Sequence, residues 1–292
     1  MKILVIGSNG QLGCDIHRAF IETGDEVFGA THSDVEVRSR DSVVKLLREF
    51  TPEVVVNTSA MHNVESCERD PEAAFAVNAL GVRNLALACR EMGAVLIHVS
   101  TDYVFGGDKA SPYLETDLPS PLNVYGTSKL AGECLIRSIL DKYFVVRTSA
   151  LYGHSPCRAK GGLNFVELML KLAKEGKDIR VVDSERVSPT FTLELARHIV
   201  CLSRSESYGL IHATSEGSCS WYQFAEEVFS LQNIRARLLA ARPGEFAGTV
   251  RRPSYSVLDN SALKSRGMNR FRTWAEGLRE YLNERSLQPL GD

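Results

Sequence analysis

Apolar residues recur along this chain in two alternating rhythms. Short unbroken apolar runs stand at 2–6, 27–30, 53–57, 94–100 and 144–147. Between them, at 11–22, 41–50, 71–92 and 124–142, apolar residues return every three or four positions. The short runs fit strands buried on both faces, and the longer segments fit amphipathic helices. Strand and helix in repeated alternation predict a parallel sheet with helices on both sides. Asp70 before Pro71 predicts an N-cap followed by proline at the first helical position.

The second half is less regular. Helical patterns are expected at 163–174, 192–203, 220–231 and about 273–284, with a strand-like "IRVV" after the first and a polar stretch over 241–256. The expected fold class is α/β: a doubly wound parallel sheet with a smaller C-terminal α/β lobe. Residues 1–150 are read as one domain, its sheet completed by parts of 180–215, and residues 151–292 mainly as a second lobe.

Composition narrows the partners. The 292 residues carry a net charge of −2, with 44% apolar side chains. There is no basic surplus to attract nucleic acid or an anionic membrane, so neither is expected as a partner. No window holds 18 consecutive apolar residues, and "MKILVIG" is too short for a signal segment, so a cytoplasmic protein is expected. The seven cysteines are scattered, odd in number and lack a C-x-x-C pair, which fits free thiols and argues against zinc.

Chemistry first shows at Gly7-Ser-Asn-Gly-Gln-Leu-Gly13, between the first strand and the first helix. Glycines there allow a tight turn and close approach of backbone to a pyrophosphate, which a helix N-terminus then binds. Gly7, Asn9, Gly10, Gln11, Leu12 and Gly13 are the candidate cofactor residues of this Rossmann-type turn, which makes 1–150 the dinucleotide-binding domain and leaves 151–292 mainly as the substrate-binding lobe. After the second strand stand Thr31 and His32, where a carboxylate would favour the ribose diol of NAD. Its absence favours NADPH; Asp34, close by, keeps NADH open.

Tyr125 and Lys129 lie one turn apart on one helix face. An ammonium beside a phenol is expected to lower the phenol's pKa and make it a better proton donor. Lys129 is also expected to hold a ribose hydroxyl. Thr101, at the carboxyl end of the strand 94–100, is placed to donate a hydrogen bond beside Tyr125, with Asp102 and Tyr103 entering the same cleft.

The G-x-x-G-x-x-G spacing resembles the extended short-chain dehydrogenase/reductase superfamily. "STDYVF", "VYGTSKLAGE", "DPEAAFAVNALGVRNLA", "SPTFTLELA" and "RRPSYSVLDN" together resemble its dTDP-4-dehydrorhamnose reductase branch over almost the whole chain. That resemblance implies hydride transfer from NAD(P)H to C4 of a dTDP-4-keto-6-deoxy sugar. Tyr125 would supply the proton, Thr101 would steady the oxygen, and Lys129 would tune Tyr125. It also implies cofactor contacts at Asn57, Ser59, Ala60 and Asn78. His62, Asn63, Asp102, Tyr103, Ala150, Asn164 and Arg252 are the candidate substrate contacts.

One departure stands out. The family carries a tryptophan against the sugar where this chain has Ala150, a loss of apolar contact worth ~1–3 kcal/mol. Either the sugar specificity has moved or another side chain fills the gap, for example one from "HSPCRAKGG". Two alternatives therefore stay open. One is a reductase or epimerase acting on a different nucleotide sugar. The other is a non-catalytic NADP-binding subunit resembling the methionine adenosyltransferase beta subunit. His98 and Trp221 are expected to be core residues. Some relatives dimerise through magnesium; no matching trio of acids is evident, so no metal residue is assigned, and both Mg2+ and the choice between monomer and homodimer stay open.

Overall fold

The computed structural model describes residues 1–157, 161–242, 245, 248 and 250–287. Five strands in the first half are β1 (Lys2–Ile6), β2 (Glu26–Ala30), β3 (Val54–Asn57), β4 (Val95–Thr101) and β5 (Tyr143–Thr148). With the later strand Gly209–His212 they form one six-stranded sheet, in which Gly209–His212 is followed by β5, β4, β3, β1 and β2. Every pairing in it is parallel.

Alternation within each strand sends side chains to two separate cores. Ile3, Val5, Val54, Val56, Ile97, Phe144 and Val146 face one side, packed with Ile16 and Phe20 of α1 (Gln11–Glu22) and Ile199 of the helix Thr192–Ser203. Leu4, Ile6, Val55, Leu96 and Val145 face the other, against Leu47 of α2 (Arg40–Phe50), Leu85 of the helix Val82–Met92 and Ile136 of the helix Val124–Ile139. Burial on both faces is why these strands read as unbroken apolar runs. A third core, with Tyr152, Phe191, Phe224 and Tyr281, lies under the later helices Phe165–Lys174, Trp221–Leu231 and Trp274–Leu287.

Asp70 does cap a helix, accepting from the Ala73 amide, with Pro71 at its start. The single helix expected over 71–92 is interrupted, however. Pro71–Phe75 and Val82–Met92 are α-helical, and Ala76–Gly81 between them is a π-turn. The wide turn carries Asn78, whose amide binds both the amide and the carbonyl of Met61 and donates to Ser128 Oγ. A polar tie between two neighbouring segments has overridden helical periodicity. The helix expected to end at 142 stops at Ile139, because Leu140 is extended. Two short helices, Val64–Arg69 and Ser261–Ser265, went unpredicted. Within the polar stretch 241–256, residues 243, 244, 246, 247 and 249 lie outside the described residues.

Candidate active site

A cleft of about 440 Å³ opens at the carboxyl ends of β1, β4 and β5. One wall is the glycine turn. Gly7 has a left-handed φ of 80°, and its amide is held by Ala30 O at 2.8 Å. A Cβ on Gly13 would come within 2.1 Å of Gly7 O, so only glycine lets α1 start this close to the strand. The first turn of α1 has no acidic residue. Its free N–H groups and positive dipole end therefore face the cleft unopposed from within that turn.

The opposite wall is the helix Val124–Ile139. Asn123 caps it, accepting from the Gly126 amide at 2.9 Å. The small residues between Tyr125 and Lys129 serve packing. A Cβ on Gly126 would stand 2.1 Å from Tyr103 O, and Ser128 Oγ ties the helix to Asn78. One turn beyond Lys129, Glu133 is gripped by Arg147 through Nε at 3.0 Å and Nη2 at 2.6 Å, and by Ser100 Oγ at 2.5 Å. That buried, bidentate ion pair fixes the helix to β4 and β5.

Tyr125 is half-buried and borders the cleft. Burial pushes its phenol up, and a hydrogen bond with Thr101 pulls in the opposite direction. The ring of Tyr103 stands edge-on to it, centroids 6.0 Å apart. Lys129 is only 1% exposed. Its Nζ donates to Val99 O at 2.7 Å and meets His98 Nε2 at 3.1 Å. Burial lowers this amine to about 8, against the attraction of Glu133. The expected downward tuning of Tyr125 by Lys129 is thus corrected: the amine is turned onto β4, and burial, not an ammonium, dominates the phenol.

Thr101 Oγ1 lies 3.1 Å from Asp102 Oδ1 and accepts from the Tyr103 amide at 3.2 Å. Its hydrogen bond with Tyr125 lowers the phenol, the direction a donating hydroxyl gives, so its proton is shared between the carboxyl behind it and the phenol before it. Asp102 is buried behind it, accepts from Ser149 Oγ at 2.8 Å, and is pushed up by burial.

The cleft wall includes Gly10, Gln11, Leu12, Gly13, Ala60, His62, Asn63, Thr101, Asp102, Tyr103, Tyr125, Lys129, Ala150 and Arg252 among the expected residues. Asn63 also caps the helix Val64–Arg69. Gly7, Asn9, Thr31, His32, Asn57, Ser59, Asn78 and Asn164 are not on that wall. Gly7 and Asn9 lie within the glycine turn and shape it from behind. Thr31 and His32 follow the carboxyl end of β2, where Asp34 accepts from both Thr31 N and Thr31 Oγ1 at 2.7 Å. These two bonds hold the Asp34 carboxyl below its ordinary range, so a carboxylate does stand there.

Asn57, Ser59 and Asn78 act from behind the wall. Asn57 accepts from Ser59 and is fully buried. Asn164 is corrected as a substrate contact. It caps the helix Phe165–Lys174 and donates to Gly153 O at 2.8 Å and to Tyr281 OH at 3.3 Å, so its amide is committed to structure.

Ala150 lines the cleft in a left-handed conformation, φ 47°. Trp221, expected in the core, packs against the third core and also lines the same cleft. Its ring packs on Phe165 at 4.8 Å, and its Nε1 donates to Glu185 Oε2 at 3.1 Å. An indole therefore reaches the cleft from the far lobe, while Ala150 leaves the near wall small. Glu185 lines it too and was not anticipated; Cys157 of "HSPCRAKGG" also lines it, and residues 158–160 lie outside the described residues. Arg252 is paired with Glu65 across the cleft mouth. His98, expected as a packed core residue, is fully buried but bridges Asn57 and Lys129. Among the described residues, no group of three or more His, Cys, Asp or Glu side chains could hold a metal ion. No described helix is long and apolar enough to cross a membrane.

The chain is 39% identical to the spore coat polysaccharide biosynthesis protein SpsK of Bacillus subtilis, covering 98% of each. It is 34% identical to the dTDP-4-dehydrorhamnose reductase of Escherichia coli, covering 97% of this chain and 98% of that one. The crystal structure of dTDP-4-dehydrorhamnose reductase from Bacillus anthracis in complex with NADP superposes with a TM-score of 0.92. It is 34% identical, with 97% of this chain and 99% of that chain covered. The profile of the RmlD substrate binding domain matches residues 1–287, and the chain belongs to that family.

Proposed function

We propose that this protein is an NADPH-dependent reductase of the C4 keto group of a dTDP-4-keto-6-deoxy sugar, with dTDP-4-dehydrorhamnose as its first candidate substrate. The observation that carries the reading is the meeting of Thr101, Tyr125 and Lys129 in one cleft with the glycine turn. The relatives' names supply the substrate class, and the NADP complex of the Bacillus anthracis relative supplies the cofactor.

The glycine turn fits the cofactor: it presents unopposed helix N–H groups where a pyrophosphate would lie. Lys129 would fix a ribose hydroxyl, and Asn57 and Asn78 support the backbone behind it. When bound, the reduced nicotinamide supplies a hydride.

Tyr125 does the acid's work. Because burial raises its pKa, the phenol keeps its proton at neutral pH and can deliver it to a nearby carbonyl oxygen. Thr101 can add a second hydrogen bond to that oxygen once its proton turns away from Asp102. Arg252, at the mouth, offers a planar fork to a pyrophosphate after exchanging its partner Glu65. Trp221 and His62 would flank the sugar. Ala150 and Trp221 together favour a second reading, a reductase for another dTDP-linked keto sugar whose ring takes up the space that Ala150 leaves.

The experiment is NADPH oxidation followed by absorbance with a panel of freshly made nucleotide 4-keto sugars. Turnover with the dTDP-4-keto-6-deoxy members supports the proposal. Oxidation with none of them rejects it, and preference for a different dTDP sugar selects the second reading.

A further inference from the structure

Behind the cleft wall, Ser59, Asn57, His98 and Lys129 form a chain whose hydrogen positions follow from its geometry. The Ser59 backbone N–H can only donate, and it meets Asn57 Oδ1 at 3.0 Å. The Asn57 amide is thereby oriented, with its NH2 towards His98 Nδ1 at 3.0 Å. An amide NH2 can only donate, so Nδ1 must accept and the ring proton of neutral His98 sits on Nε2. That Nε2 lies 3.1 Å from Lys129 Nζ. Histidine and lysine are 0% and 1% exposed, so exchanging partners with solvent is not an easy escape.

We propose that His98 is a positioning residue that sets the proton count of Lys129. Asn57 fixes the imidazole as its Nε2–H tautomer, and that N–H faces the amine and disfavours the ammonium. A neutral amine can accept from Nε2–H while donating to Val99 O. An ammonium would set two donors face to face. A doubly protonated imidazole does not intervene, because burial and the nearby Lys129 hold His98 well below its ordinary range.

The other groups around Nζ do not reverse this. Glu133, one turn on, favours the ammonium, but it is already shared by Arg147 of β5 and Ser100 of β4. Tyr125, one turn back, is a neutral phenol, and Asp102 lies beyond Thr101. Burial and the facing N–H act on the amine in the same direction. The site then holds a lysine whose charge can change near neutral pH, in place of a permanent cation. This inference rests on the reductase reading only where turnover is the readout.

The first test needs no turnover. The full chain is labelled with 15N-histidine, and ring tautomers are read from long-range 15N–1H spectra between about pH 6 and pH 9. His98 is assigned by its loss in His98→Gln, or by its contacts with Val99 if that variant does not fold. Nε2–H with a bare Nδ1 throughout is the expected result, and Nδ1–H overturns the proposal.

The second test moves the proton. In Asn57→Asp, one carboxylate oxygen keeps the Ser59 amide while the other accepts from Nδ1–H, which turns Nε2 into an acceptor for the ammonium. His98→Gln can likewise turn its amide oxygen to Nζ. Both variants should move the alkaline limb of kcat/KM up by about one pH unit. Lower rates with an unmoved limb would leave His98 a merely structural role. A shift in Asn57→Asp alone would be the effect of a new charge. Either result overturns the proposal. If the unaltered protein shows no turnover, the reductase reading fails and the tautomer spectrum decides this one.

Discussion

Gly126 is the position where packing and chemistry meet most closely. A Cβ there would stand 2.1 Å from Tyr103 O and 3.0 Å from Pro121 Cβ. An ordinary carbon–oxygen approach is about 3.3 Å, so Gly126→Ala must open the contact by roughly 1 Å. The obstacle is backbone of the 3-10 turn Asp102–Val104 that follows β4, which cannot swing away as a side chain could. The start of the Tyr125 helix therefore moves. Overpacking of this kind costs about 1–3 kcal/mol, against an intrinsic gain of about 1 kcal/mol for alanine over glycine in a helix. The larger effect is on turnover. A misplacement of about 1 Å at a reacting group costs on the order of 10²-fold. NADPH oxidation under saturating cofactor, paired with urea denaturation, measures both. The expected result is kcat down roughly 100-fold with stability lowered by at most about 2 kcal/mol. A kcat within threefold of the parent, or a stability gain of about 1 kcal/mol, would refute the claim that this glycine sets the distance from Tyr125 to the cleft.

Other expectations follow from the same contacts. Tyr125→Phe should cut turnover by roughly 10²–10⁴-fold while cofactor Kd, followed by fluorescence titration, stays nearly constant. Asp34→Asn removes the exposed carboxylate at the end of β2, so the ratio of NADH Kd to NADPH Kd should rise several-fold; an unchanged ratio would show that Asp34 does not face the 2′-position. Lys129 has a folded pKa lowered to about 8, so between there and its unfolded value the unfolded chain binds more protons. This group alone then makes stability rise with pH across that window, and its penalty is fully present below it. Lys129→Met should therefore lose activity yet match or exceed the parent's stability at pH 7 in urea denaturation, with the advantage shrinking above about pH 8.

Much of this was readable because local physics and global fold agree. The strands β1 and β3 are buried on both faces, and their apolar runs announced them. The glycine turn and the Tyr125 helix are contiguous motifs whose spacing carries their meaning. What was not readable depends on distant partners. The interruption at 76–81 serves Met61 and Ser128, which no helical period records. Trp221 reaches the cleft from the third core, and in sequence it looks like the core aromatics Tyr222 and Phe224 beside it. Asn164 was misread because an amide that caps a helix looks, in sequence, like one that binds a sugar. His98 has a core residue's place in β4, and only the approach of Asn57 and Lys129 gives it a polar task. The direction of the Tyr125 shift failed for a related reason: i,i+4 spacing set two groups on one face, but Val99 O and His98 drew the amine away.

Whether the cleft between the glycine turn and Tyr125 passes hydride to C4 of a dTDP-linked keto sugar is decided with NADPH deuterated at C4 of the nicotinamide and dTDP-4-dehydrorhamnose, the product being read by NMR. One deuterium should appear at C4 of the sugar, at a rate that falls with Tyr125→Phe. Cofactor oxidation that leaves C4 of the sugar unlabelled, or no transfer to any dTDP-4-keto-6-deoxy sugar, would contradict the reductase reading.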